Sequence, residues 1–235
     1  QPPIALRQAP LDRHAPGEIE EPALPRDLLT VLLRNEDRLE LPPDLLRREI
    51  AFYLQAGSHS TANSTVHAMH EVLQWGASHP ADRERMRRDA VFLQRCVHES
   101  LRLHPASPVA WRKAICPVQL ANGTTVSTSD RVEIDLFTAN RSRDVFGEDA
   151  DAFNPHRTVA AGNEPFGLTF GTGVHTCLGR DLDGGLVPKG AVDPSTHALG
   201  IVTQLVQALL EAGACPDPRR PPEMATYTAR PNGGT

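Results

Sequence analysis

Aromatic residues are scarce in this chain: 7 Phe, 2 Trp and 2 Tyr make up 5% of its 235 residues. A core with so few rings must come mostly from Leu, Val and Ala, and we expect it to consist of helices. Lysine is rarer still, with only Lys113 and Lys189 among 24 Lys and Arg residues, which we read as the codon bias of a GC-rich, bacterial source. No stretch approaches the roughly 18 consecutive apolar residues of a membrane helix, and Gln1 opens a Pro-rich polar segment without the charged-then-apolar order of a signal sequence. The expected location is therefore the cytoplasm, with no membrane partner. A positive surplus is also missing: the net charge is −5 and the pI about 6.1, which argues against nucleic acid as a partner, because that binding needs a basic surface. The four cysteines (Cys96, Cys116, Cys177 and Cys215) form no CxxC pair and have no zinc spacing, so neither a disulfide framework nor a zinc site is expected. The length suits one large domain or two small ones at roughly 150 residues each.

What is present is organised by proline and by helical periodicity. Residues 1–25 hold six prolines and few periodic apolars, and read as a loop without a core role. A short apolar stripe runs from Leu28 to Leu33. After Leu41-Pro42-Pro43-Asp44, the residues Leu46, Ile50, Tyr53, Leu54, Thr61, Thr65, Met69 and Val72 mark a helix of about nine turns ending near Gly76. Its middle, Ala56-Gly57-Ser58-His59-Ser60-Thr61, is small and polar. Pro80 restarts the chain, and Met86, Ala90, Leu93, Val97 and Leu101 trace a second helix that stops before His104-Pro105. Short β-type runs follow between Val109 and Val132 around the turn Asn122-Gly123. Residues 142–173 read as a long functional loop. Asp193-Pro194 predicts the start of a last helix through Ile201 and Leu205 to Gly213, before a polar, Pro-rich tail. The fold class expected is mainly α with small β-sheets (α+β).

The chemistry concentrates in Phe170-Gly171-Thr172-Gly173-Val174-His175-Thr176-Cys177-Leu178-Gly179. Glycines around one cysteine let the backbone turn tightly about the sulfur, an arrangement that suits a metal-ligating thiolate. The bland alternative for a lone cysteine is an inert core residue. Upstream, Glu99-Ser100-Leu101-Arg102 taken alone is an ordinary helix pair contributing roughly 0.2–0.5 kcal/mol.

Together these residues resemble the cytochrome P-450 family of haem-thiolate monooxygenases. The signature Phe-x-x-Gly-x-His-x-Cys-x-Gly is matched at Phe170, Gly173, His175, Cys177 and Gly179. The resemblance implies that Cys177 is the proximal iron ligand of haem b, with its electron-rich sulfur favouring O–O cleavage. It also implies that His175 and Arg112 lie near the haem propionates, that Phe170 shields the sulfur, and that Gly171 and Gly179 shape the loop around the cofactor. Glu99 and Arg102 look like the family's Glu-x-x-Arg pair, and Phe153-Asn154-Pro155-His156-Arg157 resembles the segment whose arginine joins it. Glu99, Arg102 and Arg157 then form a buried structural triad. The stretch from Ala56 to Thr61 is similar to the family's oxygen-binding stretch, which makes His59, Ser60 and Thr61 the implied catalytic residues. His59 stands where an acid is usual and Ser60 where a threonine is.

On this resemblance residues 1–23 are a loop or truncated end, and residues 24–235 are the haem-binding C-terminal part of the fold. The implied activity is insertion of one oxygen atom into an organic small molecule, in secondary metabolism, with electrons from a ferredoxin or a flavoprotein reductase and with a missing N-terminal half as a further partner. His59, and the segment Arg180 to Gly190 that breaks the helix expected after Cys-x-Gly, keep two other readings open. One is a haem enzyme driven by peroxide, and the other is a non-catalytic partner protein of the same family.

Overall fold

A computed structural model describes residues 2–39 and 42–221, and the chain divides into two compact units, 1–59 and 60–235. The polar tail beyond residue 221 lies outside the described residues.

The first unit is helical. Helix α1 (Pro2–His14) is followed by a 3-10 turn (Glu21–Ala23), α2 (Leu28–Arg34), α3 (Glu36–Leu39) and the start of α4 (Pro43–Ser78). Asp27 caps α2 by accepting a hydrogen bond from the Thr30 amide at 2.8 Å, and its carboxyl is held below its ordinary range by that bond. Leu11, Leu24, Leu33 and Leu46 form a small buried cluster. Residues 2–14 thus correct the expected loop. Their prolines fall mostly in the first turn, where no amide hydrogen is needed, Arg13 and His14 suit the negative C-terminal end, and Leu11 gives the helix something to bury.

In the second unit, α4 continues to Ser78 as an unbroken α-helix that includes Ser60 and Thr61. Helix α5 (Pro80–Arg88) leads to α6 (Ala90–Leu103), capped by Asp89, which accepts from the Phe92 amide at 2.9 Å. Helix α6 is the axis of the core. Its Phe92, Leu93, Cys96, Val97 and Leu101 pack with Ala68, Met69 and Val72 of α4, with Met86, and with Phe166, Phe170, Val202 and Val206. Each large side chain so buried contributes about 1.5–3 kcal/mol. Strand β1 (Val109–Lys113) pairs antiparallel with β4 (Arg131–Asp135), from Val109 opposite Asp135 to Lys113 opposite Arg131. The hairpin of β2 (Val118–Gln119) and β3 (Thr125–Val126) turns at Gly123, whose φ of +84° favours glycine. Two short helices, α7 (Leu136–Ala139) and α8 (Arg143–Phe146), open the long segment that leads to Cys177.

After the cysteine come α9 (Arg180–Asp183) and α10 (Ile201–Glu211). Asp193 does not start the last helix. It caps an isolated turn through Ser195, and α10 begins after Gly200. The reason is closure of the intervening loop. Gly185 bridges Leu199, the Leu186 amide donates to the Ala198 carbonyl at 3.0 Å, and Gly200 lies so close to Gly184 that a Cβ there would overlap the backbone. Gln94 clamps this neck from α6, donating to the Leu186 carbonyl at 2.8 Å and accepting from the Gly200 amide at 3.0 Å. Small sheets beside a helical body make the fold mainly α. No helix among the described residues is long and apolar enough to cross a membrane.

Candidate functional site

The loop carrying Cys177 is tied down at its base and open at its tip. The Cys177 amide donates to the Phe170 carbonyl at 2.8 Å, and the Thr176 amide donates to Gly173 at 3.1 Å across a single 3-10 turn (Gly173–His175). Gly171 has a φ of +67°, and a Cβ there would lie 3.1 Å from the His175 carbonyl, so both conformation and space require glycine. Phe170 is buried beneath the loop, edge-on to Phe166 at 5.1 Å between ring centres. Above this floor Cys177 is exposed, together with Val174 (97% exposed) and Leu178 (81% exposed). Gly179 leaves its hydrogen where a Cβ would sit 3.8 Å from Sγ.

A thiol flanked by apolar side chains in water fits a cofactor that is both apolar and metal-bearing. Among the described residues, no three or more His, Cys, Asp or Glu side chains gather into a site for a bare metal ion. His175 is exposed on the same loop. Arg112 is part-buried on β1, where its Nη1 donates to the Trp111 carbonyl at 2.8 Å.

Glu99, Arg102 and Arg157 come together in the interior. Arg102 is fully buried and meets the Glu99 carboxylate through two bonds, at 2.8 and 2.7 Å, while Arg157 Nε donates to Glu99 Oε1 at 3.0 Å. The remaining guanidinium hydrogens are used on the long segment. Arg102 donates to the carbonyls of Asn140 and Ala150, both at 2.7 Å, and Arg157 to Asp149 Oδ1 at 2.5 Å and to the carbonyls of Phe146, Asp149 and Ala152. A buried ion pair so fully hydrogen-bonded is a fixed point for the chain around it.

Sequence reasoning missed how this fixed point reaches the cysteine. Asn140 is fully buried; it donates to the Arg102 carbonyl at 3.0 Å and accepts from the Leu168 amide at 2.7 Å, two residues before Phe170. Thr169 Oγ1 adds a bond to the Leu101 carbonyl at 2.7 Å. A lone Asn between short turns carries no periodic signal, so only tertiary structure reveals it. Asp183 was missed as well. Thr61 Oγ1 donates to Asp183 Oδ1 at 2.6 Å, joining α4 to the turn after the cysteine. Burial raises the Asp183 carboxyl above its ordinary range, partly offset by this bond. Ser60 lies beside Thr61 on α4 and is part-buried, whereas His59 is exposed.

The family model described as Cytochrome P-450 matches residues 18–182. The chain is 30% identical over 208 residues to the cytochrome P-450 monooxygenase mpaDE of Penicillium roqueforti, covering 73% of this chain and 23% of that one. It is 31% identical over 159 residues to the cytochrome P-450 monooxygenase PikC of Streptomyces venezuelae, covering 66% of this chain and 36% of that one. These relatives are fungal and bacterial alike, so the likeness does not carry the expected bacterial source. The crystal structure of CalO2 superposes with a TM-score of 0.61 at 22% identity, over 91% of this chain and 45% of CalO2, a likeness of fold. The chain thus spans less than half the length of these relatives. With the cysteine loop, the buried triad and the matched span all on one chain, the protein belongs to the cytochrome P-450 family.

Proposed function

We propose that this chain is the haem-binding part of a haem-thiolate monooxygenase that inserts one oxygen atom into an organic small molecule. The observation that carries the reading is Cys177, exposed at the tip of a glycine-shaped loop between apolar side chains that water surrounds. Haem b bound there would supply an iron able to take up and cleave dioxygen, with the thiolate as its electron-rich ligand.

The chain's own residues then have distinct tasks. Cys177 would hold the iron. Val174 and Leu178, now exposed, would meet the apolar ring, and Phe170, buried beneath the loop, would support the sulfur side. His175 and Arg112 would pair with the propionates. Glu99, Arg102 and Arg157, acting through Asn140, hold the loop in place before the cofactor arrives, so that binding orders little backbone. Ser60 and Thr61 would supply hydroxyls for proton transfer during oxygen activation, with His59 as the further proton carrier of that stretch. The substrate cavity, the electron donor (a ferredoxin or a flavoprotein reductase) and a further portion of the fold complete the enzyme.

Haem titration followed in the Soret region tests the assignment. Wild-type protein binds one haem per chain with a thiolate-type spectrum, and Cys177→Ala loses that spectrum while keeping its circular dichroism. An unchanged spectrum in Cys177→Ala removes Cys177 from the site.

A further inference from the structure

The loop between α9 and α10 closes at a narrow neck, and the side chain that closes it has only one way to place its hydrogens. Gln94 is fully buried. Its amide nitrogen donates to the Leu186 carbonyl at 2.8 Å, and its carbonyl oxygen accepts from the Gly200 amide at 3.0 Å. Turning this side-chain amide over would set oxygen against the Leu186 oxygen and donor against donor at Gly200, so its orientation is fixed. The second hydrogen of the Gln94 nitrogen is left for His197 Nε2, 3.0 Å away. Nε2 must therefore be a bare acceptor, and in the closed loop the ring is neutral with its proton on Nδ1.

A proton added at Nε2 would bring two donors head to head, and Gln94 cannot turn to relieve them. We propose that residues 186–199 form a proton-controlled flap, closed while His197 is neutral and released at the neck when His197 is protonated. The ring is half-buried behind the exposed stretch 193–196, so solvent reaches it once the neck parts. Main-chain bonds carry the effect to the cysteine: the Gly184 amide donates to Arg180 at 2.9 Å, the Asp183 amide to Gly179 at 2.7 Å, and the Arg180 amide to Cys177 at 3.2 Å. Release of the flap loosens the turn that follows Cys177. The device rests on chain atoms alone and needs no haem.

The charged and titratable groups around the neck give an imidazolium no partner there. From α6 come His98 and Arg95. His98 donates from Nε2 to the Gly184 carbonyl at 2.7 Å, has no partner at Nδ1, and is kept neutral by burial, which lowers its pKa to about 4. Arg95 is exposed and adds positive charge. From α9, the Asp183 carboxyl is engaged by the Thr61 hydroxyl at 2.6 Å. On the loop itself, the Asp193 carboxylate is taken by the Ser195 amide and hydroxyl, at 2.9 and 2.7 Å, and only the Asp193 main-chain oxygen meets the His197 amide, at 3.0 Å. Lys189 is exposed and positive. From α10, neutral Gln204 donates to the Leu199 carbonyl at 3.1 Å. Closing the flap thus expels a proton, and the closed-to-open ratio falls by up to about tenfold per pH unit where a solvated imidazole is protonated.

Nitrogen NMR and hydrogen exchange on the full chain test this, with His197→Gln and His98→Gln for comparison. At neutral pH the wild-type His197 ring, identified by its loss in His197→Gln, carries its proton on Nδ1, whereas imidazole free in water prefers Nε2. Protection of the Leu186 and Gly200 amides, corrected for the intrinsic pH dependence of exchange, falls about tenfold or more between about pH 7 and about pH 5. The fall persists in His98→Gln and disappears in His197→Gln, whose side-chain oxygen is an acceptor that does not titrate. Should His197→Gln not fold, the position of the ring proton in wild type decides alone. A wild-type ring protonated on Nε2 at neutral pH, neck protection that is flat with pH, or a fall that follows His98 and survives in His197→Gln overturns the proposal and leaves the haem reading standing.

Discussion

Replacing Glu99 with alanine is the sharpest test of how the site is held. The carboxylate accepts four bonds: two from Arg102, one from Arg157 and one from the Asn154 amide at 3.1 Å. Its side chain is 5% exposed and that of Arg102 0%, so solvent screens the pair little. After Glu99→Ala, Arg157 keeps Asp149, but Arg102 is left with carbonyl oxygens alone and a buried positive charge. Removing one partner of such a pair costs about 3–5 kcal/mol, a large share of the roughly 5–15 kcal/mol that stabilises a domain. Both tryptophans, Trp75 and Trp111, lie in the unit 60–235, and Trp75 packs edge-on to Phe153 at 5.8 Å in the segment that Arg157 anchors. Urea unfolding read by fluorescence should therefore report this unit, with a midpoint lower by about 2 M for a typical slope of about 2 kcal/mol per M. Glu99→Gln, which keeps the shape and one acceptor, should lose less. A loss of under about 1 kcal/mol for Glu99→Ala, the range of exposed ion pairs, would refute the reasoning.

Further outcomes follow from the same structure. Gly200→Ala should destabilise the chain severely, because its Cβ meets the Asp183 carbonyl and the Gly184 backbone; Gly57→Ala, with open space around it in mid-helix, should stabilise by about 0.5–1 kcal/mol in thermal melts. Buried His98 has a folded pKa of about 4 against an ordinary 6.5, so the unfolded chain takes up its proton first as pH falls. Stability should drop between about pH 6.5 and pH 4 by roughly 3 kcal/mol at most, and His98→Gln should remove that part of the slope in denaturant melts at stepped pH. A slope identical in the variant would contradict the assignment.

How much of this was legible depended on whether a residue's role is local. The cysteine loop was legible because glycine, phenylalanine and cysteine at fixed spacing specify one tight turn. Helix α4 was legible from apolar periodicity, which also marked α5 and α6 but ran them together across the capping residue Asp89, and the β2–β3 hairpin was legible from Asn122-Gly123. Glu99 and Arg102 were readable as neighbours on a helix, with Arg157 added by resemblance. Helix α1 was hidden by prolines that count as breakers in sequence but lie mostly in its first turn. The start of α10 was misplaced because Asp193 caps a turn as readily as a helix, and what delays the helix is the return of the loop to Gly184 and Gly185. Tyr53 and Leu54, which stand among the apolar positions that mark α4 in the sequence, are exposed. Asp183, Asn140 and Gln94 act across long stretches of chain through single hydrogen bonds, and no periodicity marks such residues.

The central claim is that the Cys177 thiolate ligates haem iron, and the absorption spectrum of the reduced, carbon-monoxide-bound protein tests it most directly. A strongly red-shifted, thiolate-type Soret band is expected in the wild-type protein and is lost in Cys177→His, where imidazole replaces sulfur. A wild-type band at the position given by histidine ligation, or the same band in both proteins, would contradict it.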